Sequence, residues 1–203
     1  MTLFYFVRHG ETDFNANDNA YCGRSDVSLN DLGIKQSRAM AAQLEDIRFD
    51  HVYVSPLERA VQTASFVSDD FEVDERLLEI DFGNWEGLNK QQISKKYSEN
   101  WNDWQTTTTG DVAAGETGET MIETFERIND LIKALNNQHP DGKILVVAHN
   151  TIIRLLFTGL IQGRWSSYRS FKCGNTSISV LKYTKDDFEF ITLNDNHHLK
   201  GVL

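Results

Sequence analysis

The chain has 203 residues and a mass of 23.2 kDa; 40% of its residues are apolar, 25% are charged and only 2 are proline, which excludes disordered, collagen-like and low-complexity classes. Twenty Lys and Arg against thirty Asp and Glu leave a formal charge of −10, which opposes nucleic acid and anionic membranes as partners. An anionic ligand must therefore be held by a local cluster of arginines, since long-range attraction is absent.

The length suits one domain, 1–203, with an excursion of loops and short helices around 83–118. Leu3–Val7 is a five-residue apolar run ending at His9-Gly10, which predicts a central strand buried on both faces. The run is too short to span a membrane, and no basic residues precede it as in a signal peptide. Ser28-Leu29-Asn30-Asp31 resembles a capping box, with Asp31 in place of Glu. It should open a helix carrying Met40, Leu44 and Ile47 on one face. His51–Ser55 reads as a second strand, followed by Pro56 in the first turn of a helix. That helix would bury Leu57, Ala60, Val61, Ala64 and Val67. Thr120-Met121-Ile122-Glu123 is another capping box, and Lys143–His149 is the strongest strand signal of the chain. An apolar helix from about Thr151 to Ile161 follows it. Ser177–Tyr183 and Phe188–Leu193 alternate as two strands joined by a turn at Lys185-Asp186-Asp187. Strand and helix alternate, so the fold class is α/β with a largely parallel sheet.

In such sheets ligands gather beyond the carboxyl ends of the strands. The first predicted strand ends at Arg8-His9-Gly10, the second leads to Arg59, and the third ends at His149-Asn150. A neutral imidazole is a competent nucleophile toward phosphorus. Arginine binds phosphate oxygens in a planar fork and stays charged. Gly10 leaves room beside His9 for a bulky group, and a second histidine can donate a hydrogen bond to a phosphoryl oxygen as charge redistributes. A leaving alkoxide needs a proton, and Glu79, within an apolar run, is the candidate donor.

The run Phe6–Asn15 (FVRHGETDFN) closely resembles the opening motif of the histidine phosphatase superfamily, in its phosphoglycerate-mutase-like branch. The segments Gly23–Gln36, Ser55–Ala64, Glu79–Gly87, Gly118–Arg127 and Val146–His149 resemble the family's later motifs in order, so the likeness covers nearly the whole chain. It implies a three-layer α/β/α sandwich and a phosphatase acting on a small phosphorylated metabolite. His9 would be the phosphohistidine nucleophile, Arg8, Arg59 and His149 the phosphate pocket, and Glu79 the acid and then the base. Asn15 and Gly23 would help to hold substrate. The resemblance implies no metal and no cofactor. Two positions depart from the pattern near the substrate: Asn150 stands where relatives often carry Gly, leaving its backbone N–H to serve, and Cys22 stands where mutases carry Thr. Lys95 and Lys96 are the nearest basic pair in the loop region where a mutase would grip a second anion. The isomerase alternative is a mutase that returns the phosphoryl group to a second substrate oxygen; a module that binds phosphorylated ligands without catalysis is the third.

Cys22 and Cys173 make no disulfide framework, and the cytoplasm is the expected compartment. Ser28 and Ser179 stand where a cysteine phosphatase would need arginine, and no P-loop, GxGxxG or HExxH occurs. The plainer reading of Arg24 is a surface residue, that of Arg154 a structural ion pair, and that of His197-His198 a polar tail. Phe14, Trp85, Trp101 and Trp104 hint at an apolar entrance for an organic leaving group.

Overall fold

The computed structural model describes residues 1–16, 20–184 and 187–202. Among these, six strands, β1 (Thr2–Arg8), β2 (His51–Val54), β3 (Glu72–Val73), β4 (Lys143–Ala148), β5 (Ile178–Tyr183) and β6 (Phe188–Asp195), form one sheet in the order β3-β2-β4-β1-β5-β6. The β1, β2, β3 and β4 strands run parallel, and β5 pairs antiparallel with both β1 and β6. Seven α-helices accompany them: α1 (Asp13–Ala16), α2 (Asp31–Leu44), α3 (Glu58–Ala64), α4 (Lys90–Lys96), α5 (Ser98–Thr106), α6 (Met121–Gln138) and α7 (Asn150–Leu160).

The central strands are apolar throughout because both faces are covered, and alternate residues feed opposite layers. Phe4, Phe6, Ile144, Val146 and Ala148 pack with Ile128, Leu131 and Ile132 of α6 and with Ile152, Leu156 and Phe157 of α7. On the other face Val7, Val52, Val54, Leu145 and Val147 meet Met40 and Leu44 of α2 and Ala60 and Ala64 of α3. This is the expected three-layer sandwich. Each fully buried Leu, Ile or Phe contributes roughly 1.5–3 kcal/mol. Among the described residues no helix is long and apolar enough to cross a membrane.

Several local expectations shift by a residue or two. The α2 cap is Asn30, whose side chain accepts the Gly33 N–H at 2.8 Å, and not Ser28. This helix stops at Leu44, so Ile47 joins the same apolar layer from beyond its end. Pro56 lies ahead of the α3 cap, Leu57, whose backbone is extended (φ −68°, ψ 135°), and Asp26 accepts the Glu58 N–H at 2.8 Å. The box at Thr120 and Glu123 forms as expected. Lys185 and Asp186 of the predicted turn lie outside the described residues, while Tyr183 and Phe188 on either side are paired.

Residues 83–118 hold two 3-10 turns as well as α4 and α5. Trp85, Trp101 and Trp104 pack there with Ile80, Phe82, Ile93, Tyr168 and Leu155 of α7 in a third apolar cluster. Trp85 and Trp104 are fully buried. These indoles are core, and they do not form the apolar entrance the sequence suggested.

Candidate active site

The chain leaves β1, β2 and β4 at the same edge of the sheet. Register sets Arg8 beside Ala148 and Val54 beside Val147. The ladder continues one step further, with the His9 N–H on the Ala148 carbonyl and the Ser55 N–H on the Val147 carbonyl, each at 3.0 Å. His9 and His149 thus follow neighbouring strand ends, and their ring centroids are 5.2 Å apart.

Both imidazoles are buried, and their proton positions follow from their partners. His9 Nδ1 lies 2.7 Å from the Gly10 carbonyl, which only accepts. Nδ1 therefore carries the proton and Nε2 keeps its lone pair. Burial, and then the nearby Arg59 and Arg8, push the His9 pKa well below its ordinary 6.5, which keeps the ring neutral. The Arg59 Nε–H donates to His149 Nδ1 at 3.3 Å, so His149 Nε2 holds the proton and donates to Ser55 Oγ at 2.7 Å. Burial and Arg59 likewise hold the His149 pKa well below 6.5. With both nitrogens engaged, His149 lies behind the pocket wall and orients Arg59.

The arginines differ in how much of their donor set the protein itself consumes. Arg59, buried on the first turn of α3, donates Nη1 to the Ser25 carbonyl at 2.8 Å and Nη2 to the Gly23 carbonyl at 2.7 Å. With Nε on His149, three of its five N–H bonds are committed. Arg8 donates Nη1 to the Cys173 carbonyl at 2.8 Å. Its Nε is buried and has no acceptor among the described residues. A buried guanidinium nitrogen without an acceptor is a costly arrangement, and the same guanidinium lines the cavity with His9.

Glu79 sits at the foot of α7. Its Oε1 accepts the N–H groups of Ile80 and Ile152, and its Oε2 that of Thr151, all at 3.0 Å. The surrounding run is apolar, but the carboxylate head lies among backbone donors. Glu79 therefore caps α7, whose own cap residue, His149, makes no side-chain cap bond. The Asn150 N–H has no acceptor among the described residues, a first-turn donor of the kind that receives anions. Arg127 fixes the loop behind Glu79: Nη1 donates to the carbonyls of Arg76 and Leu78, and Nη2 to that of Glu79. The same guanidinium pairs with Glu119 at 2.9 Å.

A cavity of about 230 Å³ brings together Arg8, His9, Asn15, Cys22, Gly23, Arg59, Glu79 and Asn150. Asn15 Oδ1 is taken up by Thr12 and Asn175, which fixes its amide. Burial raises the Cys22 thiol pKa, so the sulfur enters as a neutral wall atom. Gly23 has φ +50°, a backbone conformation that strains any side chain, and a Cβ there would displace the Glu86 carboxylate. Glu86 in turn accepts the Arg24 and Ser25 N–H groups and shapes this loop.

Gly10 does not serve as the sequence suggested. A Cβ there would lie 2.6 Å from the Gly33 carbonyl oxygen and 2.8 Å from Ser37 Oγ, so the residue makes room for α2 and not for a ligand. Arg24 pairs with Glu119 at 3.0 Å, at the surface. Lys95 and Lys96 are exposed on α4, away from the cavity. Arg154, read as half of an ion pair, has no carboxylate partner among the described residues and instead lines the cavity with Tyr21, Phe82, Thr151, Tyr168 and Arg169. Its spacing of four from Asn150 along α7 is the signal that could have found it. His198 meets Gln43 and Thr176, and among the described residues no group of three or more His, Cys, Asp or Glu is placed to hold a metal ion.

A family model described as histidine phosphatase superfamily (branch 1) matches residues 4–196. Phosphoserine phosphatase 1 of Hydrogenobacter thermophilus is 29% identical over 98% of the chain and 95% of its own length. Phosphoglycerate mutase-like protein 4 of Arabidopsis thaliana is 32% identical over 96% and 85%. A crystal structure of a phosphoserine phosphatase from Entamoeba histolytica, in complex with phosphoserine, superposes with a TM-score of 0.88 at 27% identity, covering 98% of this chain and 100% of that one.

Proposed function

This chain belongs to the histidine phosphatase superfamily, branch 1, and we propose that it is a phosphatase that hydrolyses compact phosphomonoesters through a phosphohistidine on His9. The observation that carries the reading is the convergence, in one small cavity, of His9, whose Nε2 has no hydrogen-bond partner among the described residues, with the guanidinium groups of Arg8 and Arg59. In the first step Nε2 attacks phosphorus, the P–N bond forms and the ester P–O bond breaks. Protonated Glu79 delivers its proton to the departing oxygen. In the second step the Glu79 carboxylate takes a proton from water, the new O–P bond forms and the P–N bond breaks. His9 is regenerated, with inorganic phosphate as product. The free donors of Arg8, the two uncommitted N–H groups of Arg59 and the Asn150 N–H receive the phosphoryl oxygens. His149 serves by aiming Arg59, while Asn15, Cys22 and Gly23 border the substrate. The Hydrogenobacter and Entamoeba relatives, named for phosphoserine, support a small phosphorylated metabolite as substrate. The two free cysteines suit the cytoplasm.

Rapid acid- or base-quench of turnover with a labelled ester tests the mechanism. The wild type should yield an acid-labile, base-stable phosphoprotein, and His9→Ala should lose turnover while still binding vanadate. Undiminished turnover in His9→Ala would overturn the assignment. Exchange between 2- and 3-phosphoglycerate outrunning phosphate release would turn it into a mutase.

A further inference from the structure

The cavity holds more positive charge than one phosphoryl group requires. Four guanidinium groups line it, those of Arg8, Arg59, Arg154 and Arg169, against one carboxylate, Glu79. Among the described residues none of the four has a carboxylate oxygen within 4.0 Å. Arg8 and Arg59 flank His9. The other two belong to a separate wall, Arg154 from α7 and Arg169 from the 3-10 turn Trp165–Ser170.

That wall is built around Tyr168, which is buried. The Arg154 Cζ lies 5.2 Å from the Tyr168 ring centroid and the Arg169 Cζ 4.6 Å from it. Arg154 donates Nε to the Tyr168 carbonyl at 3.3 Å and Nη1 to Asn150 Oδ1 at 3.4 Å. Arg169 donates to Gln105 Oε1 at 3.0 Å and to the Tyr21 hydroxyl at 3.4 Å. Every one of these partners is neutral: they aim the two forks without cancelling their charge. Two cations sharing one aromatic ring repel each other. Burial, with Arg169 among the nearby charges, lowers the Arg154 pKa below its usual value. Both features are relieved by an anion bound in the cavity that the two residues line.

We infer that Arg154 and Arg169 form a second anion subsite, which selects phosphomonoesters bearing a further anionic group, a carboxylate or a second phosphate, on the leaving alcohol. The inference rests on the phosphatase reading above. A cavity of about 230 Å³ is small for a ligand site, so the two anionic groups of the substrate must be close together. The basic pair thus comes from the segment after the second histidine and not from the loop that carries Lys95 and Lys96.

Three esters of one carbon skeleton test this with the full chain: propyl phosphate, 3-phosphooxypropanoate and propane-1,3-diol bisphosphate. The wild type should prefer one of the two doubly anionic esters over propyl phosphate by at least about tenfold in kcat/KM, and whichever leads identifies the second group. Arg169→Gln and Arg154→Gln should each cut that preference roughly 10- to 100-fold, mostly through KM, the size expected when a charge-assisted hydrogen bond is lost. Arg169→Lys should keep part of it, because the charge stays and the fork goes. Arg169 is only half-buried, so its variants carry the test should Arg154→Gln fold poorly. Equal use of all three esters by the wild type, or equal losses on all three in the variants, would overturn the subsite. Failure of the phosphatase reading looks different: no phosphate is released from any ester, and His9→Ala matches the wild type.

Discussion

Glu79 has a second task besides its proposed proton transfer, and the two can be separated by mutation. Its carboxylate accepts three N–H groups, of Ile80, Thr151 and Ile152, and the last two belong to the first turn of α7. Glu79→Ala orphans all three. Each buried orphan costs about 1–3 kcal/mol, and water reaching in through the cavity recovers part of that, leaving a loss of about 3–5 kcal/mol. For a chain of this size the melting temperature should fall by roughly 6–20 °C. Glu79→Gln keeps one carbonyl oxygen for Ile80 and Ile152 and turns an amide toward Thr151, so it loses a single acceptor. The cost is about 1–2 kcal/mol, or roughly 2–8 °C. Both variants should lose phosphate release to a similar degree, because neither side chain can pass a proton. Thermal melts and steady-state rates on the same preparations measure the two effects side by side. An alanine variant melting within about 2 °C of the wild type, or a glutamine variant less stable than the alanine one, would refute the trans-cap argument.

Two further outcomes follow from the geometry around His9. Its folded pKa lies well below the unfolded value of 6.5, as does that of His149. Above pH 6.5 neither ring binds a proton in either state; below it the unfolded chain takes up protons that the folded one refuses, so stability falls on acidification. The slope is at most about 1.4 kcal/mol per pH unit for each histidine, and urea midpoints at pH 7, 6 and 5 should fall less steeply in His9→Asn than in the wild type. Parallel slopes would count against a buried neutral His9. In Gly10→Ala the new Cβ meets the Gly33 carbonyl at 2.6 Å, which is backbone and yields little. Overpacking of about 1–3 kcal/mol and a displaced β1 end should lower both the urea midpoint and kcat; a variant matching the wild type in both would dismiss the close approach.

Legibility of the fold from sequence tracked how local each signal was. β1 and β4 are uninterrupted apolar runs because both sheet faces are covered, and the Thr120 box lies wholly within one turn. β3 escaped because it is two exposed residues, Glu72 and Val73, held only by pairing with β2. The cap at Asn30 was misplaced by two positions since Ser28 is chemically as suitable; only the path of the chain selects between them. In the site, His9, Arg8 and Arg59 stand at strand or helix ends, where position along the chain already implies position in space, whereas Glu79 lies in the connection between β3 and α4 and was legible from its apolar run and the resemblance of its segment to a family motif. Tyr21, Tyr168 and Arg169 come from irregular segments whose placement depends on tertiary packing. The tryptophans misled for a related reason: an indole next to a catalytic loop can equally be the floor beneath it, as Trp85 and Trp104 are.

The uncompensated cations of the hollow have a practical bearing on any preparation of this protein. An oxyanion that settles there stabilises the native state by mass action, by about 2.7 kcal/mol at a hundred times its dissociation constant. Phosphate, sulfate or vanadate in a buffer thus acts as preservative and competitor together. The most heat-resistant sample on the bench will be the slowest one in the assay, and a ranking of conditions by melting temperature alone would pick the enzyme already occupied.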